Sequence, residues 1–359
     1  MSEKTQNRKE QIRGVVNGSI TLNERHIDVS VIASLVAVTV AMPTLAATLM
    51  GYSGVASNIL IWMMFALAFN VLLGYAGLLS FGHAMFLGGA MYIVAIVMTQ
   101  LGTEMIVLGI PLALLFVGLL AYGVGHLIVQ KGEIYFALLT IAFAEIIWYV
   151  ANSDPGGLTG GNDGIASGLI PPLVESNRGQ LTLVLGSFSI PIYWGVAAVF
   201  VIVAYLLFRI VRSPFGKTLL TIRENEELAR SIGANTRQYK IHAFVISAVF
   251  SGVAGILLLM VNQNVATSYL FWQTSGEVVM MTIVGGMTSF AGPMLGAFLW
   301  FLGEEFLSGW RAIGELRYFW RFGFGLLFVL IILLEPRAGG WGAIKKAMRW
   351  AVNKLLKIN

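Results

Sequence analysis

The chain offers few groupings of side chains that could carry out chemistry. Three stretches rich in glycine lie at residues 74–89, 156–164 and 283–297, and one hydrophilic stretch lies at residues 211–240. The carboxylate of Glu145 lies inside an apolar run. No His, Asp or Glu side chains recur at the spacing of a metal site or of an acid–base pair. We therefore predict no catalytic residue, no metal site and no directly bound cofactor.

The glycines of residues 156–164 could suggest a phosphate-binding loop. That motif ends in Lys followed by Ser or Thr, which this stretch lacks. Residues 216–218 have the required ending, but Val211 occupies the position of the first glycine of the motif. The chain is therefore not expected to hydrolyse ATP. The segment is expected to lie in an external loop that caps a pore, meets a soluble donor or forms a flexible connector. The candidate residues of this loop are Thr159, Gly160, Gly161, Asn162 and Gly164.

Composition identifies the class of protein. Of the 359 residues, 57% are hydrophobic and 11% are charged, whereas a soluble domain carries about 25% charged residues. A bilayer core needs roughly 20 apolar residues per helix, and helices satisfy their backbone polar groups internally. We predict an all-α polytopic membrane protein. Its first seven spans are expected at about residues 31–50, 55–73, 83–100, 106–129, 134–151, 191–210 and 241–261.

The last apolar stretches predict a hairpin and one more span. Residues 277–307 are too long for one helix and should form two helices that meet in a tight turn. The residues that interrupt the stretch are Gly285, Gly286, Gly292 and Pro293. A final span at about 322–335 brings the total to about ten, in a transmembrane domain of residues 31–336.

The positions of Lys and Arg predict the orientation. Of 23 such residues, five precede residue 31, seven lie between Arg209 and Lys240, and six follow Pro336. Cytoplasmic segments of membrane proteins are enriched in Lys and Arg. We therefore expect cytoplasmic tails at residues 1–30 and 337–359, and a cytoplasmic loop at about 211–240. Charges placed in this way do not indicate a nucleic-acid partner.

The loop at about 152–190 should face outward, because it holds three acidic residues against Arg178. Arg311, Arg317 and Arg321 would also lie outside, against the charge rule, and are partly offset by neighbouring glutamates.

Residues 74–89 cannot form one uniform helix. Irregular backbone at membrane depth persists where protein covers it or where it faces a water-filled path, and small residues let helices approach closely. Both roles stay open for this segment. The candidates for helix packing or for the translocation path are Gly74, Gly77, Ser80, Gly82, His83, Gly88 and Gly89. His83 has no second ligand at a useful spacing and should be a packed or hydrogen-bonded side chain.

Glu145, Asn58 and Asn70 are polar side chains within the predicted spans. An ionisable group at membrane depth costs at least about 2.5 kcal/mol, so Glu145 should either pair with a neighbouring helix or contact a passing solute. Asn58 and Asn70 are expected to donate interhelical hydrogen bonds.

The hydrophilic stretch predicts two short helices. Ser213 followed by Pro214 is a favourable helix start. The second helix should begin at Asn225 and end at Gly233, with acidic residues at its N-terminus. Leu228, Ala229 and Ile232 should share one face of it. The candidate residues for contact with a soluble partner are Glu227, Leu228, Ala229, Ile232 and Gly233. Such a helix suits a groove on a soluble partner, and a solvated surface loop is the alternative.

Four stretches, in order, resemble the permeases of branched-chain amino acid ABC importers, specifically the larger, M-type subunit. They are residues 74–89, Tyr135-Phe-Ala-Leu-Leu-Thr-Ile-Ala-Phe-Ala-Glu145, Leu158-Thr-Gly-Gly-Asn-Asp-Gly164 and residues 283–297. The resemblance covers about residues 31–336. Residues 227–233 are similar to the coupling motif of ABC importers, Glu-Ala-Ala followed by three residues and Gly, with Leu228 replacing the first Ala.

The resemblance implies a division of labour in a bacterial cytoplasmic membrane. It implies a pore formed with a second permease subunit, two ATP-binding subunits that consume ATP, and a periplasmic or lipid-anchored solute-binding protein. The implied solutes are branched-chain or other hydrophobic amino acids, with urea or short-chain amides as the alternative. An ion-coupled transporter acting without partners is a further alternative, for which Glu145 would carry the ion.

Overall fold

The computed structural model describes residues 30–48, 54–165, 174–177, 180–185, 188–309, 322–323, 325–326 and 329–330. The predicted terminal tails, most of the last span and the three arginines between residues 310 and 322 lie outside the described residues. The total of ten spans therefore stays a prediction.

The described residues confirm an all-α membrane architecture. Seven helices are long and apolar enough to cross a membrane, and their bounds fall within a few residues of the predicted ones, except that the seventh begins about five residues earlier. They are Ser30–Thr48, Val55–Tyr75, Ala84–Leu101, Thr103–Ile128, Glu133–Asn152, Ile192–Arg212 and Thr236–Asn262. We label them by their α-helical parts: α1 (Ser30–Thr48), α2 (Val55–Asn70), α3 (Ala84–Leu101), α4 (Ile106–Ile128), α5 (Glu133–Asn152), α6 (Ile192–Arg212) and α9 (Thr236–Asn262).

Helix α2 forms the centre of the bundle. Nearly all of its side chains are buried, and it contacts α6, α9 and the later hairpin. A helix that is apolar on every side belongs in such a core. By contrast, most residues of α4 and α5 are not buried, so each has a broad apolar surface for lipid or another subunit.

Short helices connect or follow the spans. Two lie between α6 and α9: α7 (Pro214–Glu224) and α8 (Glu226–Ser231). The predicted hairpin is also present, as α10 (Trp272–Gly285) and α11 (Gly292–Gly309). Helix α10 has 14 residues and is therefore about 21 Å long, shorter than the roughly 30 Å of a bilayer core. It begins five residues before the predicted hairpin.

Small residues bring the helices of the hairpin together. A Cβ atom on Gly285 would collide with the Gly292 carbonyl, and one on Gly296 would collide with the Met281 carbonyl. Gly286 ends α10 with a φ of 106°, and Pro293 is buried in the first turn of α11. The glycines and proline that interrupt the stretch therefore serve close helix packing.

A small sheet lies in the connection between α5 and α6, where the sequence predicted a loop. Its strands are β1 (Val174–Asn177), β2 (Gln180–Leu185) and β3 (Phe188–Pro191). They pair antiparallel in the order β1-β2-β3. We call this end of the bundle the sheet end, and the end that carries α7 and α8 the basic end.

The α3–α9 contact provides a test of the packing. The Gly255→Ala substitution would place a Cβ against the Leu87 carbonyl, and overpacking a close contact costs about 1–3 kcal/mol. Gly123, on an open face of α4, has nothing within 4 Å of a Cβ. In thermal unfolding of the purified protein, Gly255→Ala should lower the midpoint and Gly123→Ala should leave it unchanged or raise it. Equal midpoints would contradict the packing.

Candidate functional site

A non-helical segment connects α2 to α3 inside the bundle. After α2 the chain forms a π-helical turn over Val71–Tyr75, and residues 76–83 then run without regular structure. We call residues 76–83 the buried linker. Its backbone finds partners on both sides: Leu78 N donates to Leu72 O at 3.1 Å, and Phe81 N donates to Thr140 Oγ1 on α5 at 3.1 Å.

His83, at the end of the buried linker, is fully buried, and both of its ring nitrogens have hydrogen-bond partners. Its Nε2 lies 2.8 Å from Ser247 Oγ on α9, and its Nδ1 lies 2.9 Å from Ser80 Oγ. The Ser247 hydroxyl donates to Ala68 O on α2 at 2.7 Å. Ser247 must therefore accept from His83, so the proton lies on Nε2, and Nδ1 can accept from Ser80.

Aromatic rings enclose this histidine. The rings of Phe69, Phe86 and Phe244 meet it edge to face, with centroids 5.0–5.7 Å away. The surroundings are thus apolar except for the two hydroxyls, and each ring nitrogen has one partner. His83 is therefore a hydrogen-bonded core side chain, as expected.

The glycines of this region permit close packing. Gly82 lies against the Thr140 carbonyl, and a Cβ on Gly88 would come within 2.8 Å of the Leu270 side chain. Gly89 makes an ordinary contact with Phe116. These positions favour the packing interpretation over a backbone that faces an open path. The sequence did not indicate the hydrogen-bond partners of this region on other helices, which are Thr140, Ser247 and Ser275. The Ser275 hydroxyl accepts from Ala84 N at 2.8 Å.

Helix α7 contacts the start of the buried linker. The Arg223 guanidinium donates to the Gly74 carbonyl, and the Arg223 stem packs on Gly77. Gly77 has a φ of 74°, a conformation that residues with a Cβ rarely adopt. Arg223 therefore joins α7 to the bundle core.

Helix α8 is capped as predicted. The Asn225 side chain accepts from Leu228 N at 2.9 Å, and Gly233 follows the helix with a φ of 91°. Glu226 pairs with Lys240 on α9 at 2.6 Å and with Arg230 at 3.1 Å. Burial raises the pKa of the Glu226 carboxyl, but hydrogen bonds from Lys240 and Thr236 outweigh burial, so the pKa lies below its usual value. Glu226 therefore holds α8 on the bundle as a carboxylate.

The apolar residues of α8 do not share one face, contrary to the prediction. Ala229 is fully buried against the bundle, whereas Leu228 is 57% exposed and Ile232 is 73% exposed. The helix has only six residues, and it contacts the core through the small side chain of Ala229. Ser213 also differs: it occupies the N-cap position of α7, but its hydroxyl donates to Ile210 O at 2.7 Å. Glu227 is exposed.

The glycine-rich segment at the sheet end is organised by Asp154. Its Oδ1 accepts from Thr159 N at 2.7 Å, Thr159 Oγ1 at 2.9 Å and Gly160 N at 3.1 Å. These hydrogen bonds, first of all the one from Thr159 N, lower the pKa of Asp154 below its ordinary value. The sequence identified the glycines of this turn but not its acceptor.

The same segment is tied to the chain that follows α9. Ile165 and Val265 exchange two backbone hydrogen bonds of 2.9 and 3.1 Å, and a Cβ on Gly164 would collide with the Val265 carbonyl. Gly161 has a φ of 58°, and Asn162 is exposed on the loop surface. The loop therefore folds over the residues that lead into α10.

The polar residues within the spans differ from expectation. Asn58 and Asn70 make no interhelical hydrogen bond to the described residues, and the Oδ1 atoms of both are buried without a partner; that prediction is wrong. The Asn70 oxygen lies instead against Gly74. Glu145, half-buried on α5, makes neither an ion pair nor a hydrogen bond within the part of the chain that the structure describes, so a pair with a neighbouring described helix does not account for it.

Among the described residues, no group of three or more His, Cys, Asp or Glu side chains could hold a metal ion. The arrangement is that of a packed helical bundle with hydrogen-bonded irregular segments and a short charged helix at one end.

Comparison with known proteins identifies a family. Residues 51–332 match the family model described as "branched-chain amino acid transport system / permease component". The match includes the buried linker, the loop at the sheet end, α7, α8 and the α10–α11 hairpin. No solved structure matches the chain.

Three relatives have related names. The high-affinity branched-chain amino acid transport system permease protein LivM of Escherichia coli (strain K12) is 27% identical over 80% of this chain and 69% of its own length. The Probable branched-chain amino acid transport permease protein LivM of Methanocaldococcus jannaschii is 22% identical over 78% of this chain and 91% of its own length. The protein of that organism named Probable branched-chain amino acid transport permease protein LivH is 23% identical over 42% of this chain and 48% of its own length.

The His83 network can be tested by a pair of serines on one helix. Ser247→Ala removes the hydroxyl that bridges His83 to α2, and an unsatisfied buried polar group costs about 1–3 kcal/mol. The Ser251 hydroxyl bonds the carbonyl of Ser247 in its own helix at 2.7 Å, so Ser251→Ala is the control. Ser247→Ala should lower the thermal midpoint more than Ser251→Ala. The reverse order would contradict the bridge.

The Asp154 turn should lose its order in acid. A carboxylate whose pKa is lowered by folding stabilises the fold above its ordinary pKa of 3.8, and that stabilisation is lost as the pH falls through the lower folded value.

At neutral pH, Asp154→Ala should speed hydrogen exchange across residues 154–165. Asp163→Ala, on an exposed residue of the same loop, is the control. Unchanged exchange in Asp154→Ala would contradict the role of the carboxylate.

Proposed function

This chain belongs to the family of permease components of branched-chain amino acid transport systems, and from that premise we propose that it forms the translocation pathway of an ATP-driven importer for branched-chain or other hydrophobic amino acids. The observation that carries the proposal is the family match over residues 51–332, because it includes both the membrane bundle and α8. The chain is a multi-pass membrane protein, and the family is a transport permease subunit.

The basic end is proposed to face the cytoplasm of a bacterial inner membrane. Helices α7 to α9 and the end of α6 carry the seven Lys and Arg residues between Arg209 and Lys240. The turn from α4 to α5 adds Lys131, which lines the same surface depression as Arg230 and Lys240. Positive charge concentrated at one end of a bundle supports this orientation, with the sheet end facing outward and both termini inside.

Helix α8 is proposed to dock into an ATP-binding subunit. Leu228 and Ile232 lie one turn apart and expose apolar surface, which suits a groove on a soluble partner. The Glu226–Lys240 pair and buried Ala229 fix α8 on α9. The ATP is consumed by two such subunits and not by this chain.

Arg223 is proposed to carry the movement of the docked end into the membrane. It lies on α7, which contacts α8, and it donates to Gly74 in the π-helical turn just before the buried linker. The linker leads to His83, which is hydrogen-bonded to Ser247 on α9, and the Ser247 hydroxyl donates to Ala68 on α2. A movement of α7 and α8 would therefore act on three spans as a rigid-body switch.

Helix α5 is proposed to face a second permease subunit across the pathway. Most of its surface is unburied in this chain, and Glu145 lacks a partner among the described residues. An intramembrane carboxylate usually faces a bundle interior or an aqueous path. At the sheet end, the Asp154 turn offers an ordered surface for a solute-binding protein.

The function is tested by uptake of labelled leucine into proteoliposomes that contain the two permease subunits and the ATP-binding subunits, with the binding protein outside and ATP inside. Accumulation that requires ATP and all components is expected. Accumulation that persists with an inactive ATP-binding subunit, or that follows a proton gradient instead, would contradict the proposal.

The docking role of α8 is tested by charge substitution. Leu228→Asp combined with Ile232→Asp removes the exposed apolar pair without disturbing the core, so membrane insertion should be normal while co-purification of the ATP-binding subunits falls at least tenfold. Ser231→Asp, on the same helix, should retain them. Normal co-purification of the double variant would contradict docking through this pair.

A further inference from the structure

The surface depression at the basic end lies between the α4–α5 turn, α8 and the start of α9. Its volume is about 750 Å³. The charged side chains of its lining carry a net positive charge, because four are basic and two are acidic. They are Lys131, Arg230, Arg237 and Lys240 against Glu133 and Glu226.

One of the two carboxylates is shared by two of the cations. Glu226 pairs with Lys240 at 2.6 Å and with Arg230 at 3.1 Å, and its single charge cannot neutralise both. The Lys240 side chain is 12% exposed, whereas that of Arg230 is 68% exposed. Lys240 is therefore the close partner of Glu226, and the Arg230 guanidinium is accessible to another anion.

The other two cations have no anionic partner among the described residues. Arg237 donates to the His126 carbonyl at 3.1 Å and to His126 Nε2 at 3.0 Å; this nitrogen must accept, because arginine only donates. The exposed Lys131 side chain makes neither an ion pair nor a hydrogen bond within the part of the chain that the structure describes. Glu133 lies in the first turn of α5, where it complements the helix dipole. The depression therefore suits an anion.

A stripe of exposed apolar side chains on α4 leads to this depression. Leu112, Leu115, Leu119 and Tyr122 are 42–63% exposed. They recur at intervals of three or four residues and therefore share one face of the helix. One turn beyond Tyr122 lies His126, whose partner is the guanidinium that lines the depression. The apolar stripe and the cations thus form a continuous surface.

The composition of α4 favours lipid on this stripe. Between Ile106 and Ile128 there is no Asp, Glu, Lys, Arg, Asn, Gln, Ser or Thr. Helix contacts in membranes are enriched in small residues and in side chains that form hydrogen bonds, whereas this stripe consists of leucines and one tyrosine. A tyrosine at the end of a span suits the boundary between membrane and water. The stripe therefore suits hydrocarbon chains, and the cations lie at the level of lipid headgroups.

From these observations we propose that the depression binds the phosphate of an anionic phospholipid whose acyl chains lie along the α4 stripe. Lys131 and Arg230 contact the phosphate, and Arg237 adds positive charge, while Glu226 stays paired with Lys240. A soluble anion would leave the stripe unused, and a soluble protein partner could not follow α4 into the membrane. The inference goes beyond the proposed function and requires only that α4 spans the membrane.

The test compares binding of phosphatidylglycerol and phosphatidylcholine with the same acyl chains to the purified full chain, by native mass spectrometry. The anionic lipid should bind more tightly than the zwitterionic one. Lys131→Gln should weaken phosphatidylglycerol binding about fivefold, as expected for one basic residue at a membrane surface. Lys217→Gln, on an exposed residue of α7, is the control and should bind as the unmodified chain does. Equal binding of the two lipids, or unchanged binding in Lys131→Gln, would overturn the site.

Arg230→Gln provides a second variant that leaves the Glu226–Lys240 pair intact. It should also weaken phosphatidylglycerol binding about fivefold without lowering the thermal midpoint of unfolding. Unchanged phosphatidylglycerol binding in this variant would count against the site.

Competition separates a lipid from other occupants. Inorganic phosphate and glycerol 3-phosphate carry the anion without acyl chains and should not displace phosphatidylglycerol at equal concentration; displacement as effective as that by unlabelled lipid would show a site for soluble anions and overturn the proposal. In the assembled importer the lipid should remain bound. Its release when the ATP-binding subunits associate would show that the depression is a protein contact and would overturn the proposal as well.

The result is independent of the transport function. If the importer accumulates leucine and the chain shows no preference for phosphatidylglycerol, the lipid site fails and the proposed function stands. If the importer accumulates no leucine, the lipid measurements on the purified chain still decide the site.

Discussion

The fold depends on one constraint, which is that irregular backbone inside a membrane bundle must find hydrogen-bond partners within the protein. Among the described residues, the buried linker and the segment before α10 both depart from helix between spans and remain packed among them. The Phe81 amide of the linker donates a hydrogen bond to the Thr140 hydroxyl. The two ring nitrogens of His83 are hydrogen-bonded to the hydroxyls of Ser80 and Ser247. Side chains from α5 and α9 thus supply hydrogen-bond partners that the non-helical α2–α3 connection cannot supply from its own backbone.

This constraint also links the two ends of the molecule. Because the linker is held by α5, α7 and α9 together, a displacement of any one of these helices alters its hydrogen bonds. Arg223 connects the charged basic end to Gly74, and the Ile165–Val265 pair connects the loop at the sheet end to the residues that lead into α10. Contacts of these kinds therefore tie the non-helical segments to both ends of the bundle.

Much of this architecture was predictable because lipid allows so few solutions. Long apolar blocks predicted the seven spans within a few residues, and glycines with a proline predicted the α10–α11 hairpin. Side-chain partners were harder to predict. Nothing in an apolar helix indicates that Ser247 rather than Ser251 reaches His83, since that depends on how α9 lies against α3. Asn58 and Asn70 were predicted to donate interhelical hydrogen bonds, and both retain an unpartnered oxygen instead. On α8, the small size of Ala229 determines which side is buried, and hydrophobicity did not predict it.

The central claim is that Arg223 transmits a movement of α7 and α8 to the non-helical connection between α2 and α3. The most direct test is the amount of leucine accumulated per ATP hydrolysed by the reconstituted importer with Arg223→Ala, compared with Lys217→Ala at an exposed position of the same helix. The account predicts that Arg223→Ala still assembles and hydrolyses ATP but accumulates several-fold less leucine per ATP, while Lys217→Ala is normal. An unchanged ratio in Arg223→Ala would contradict it.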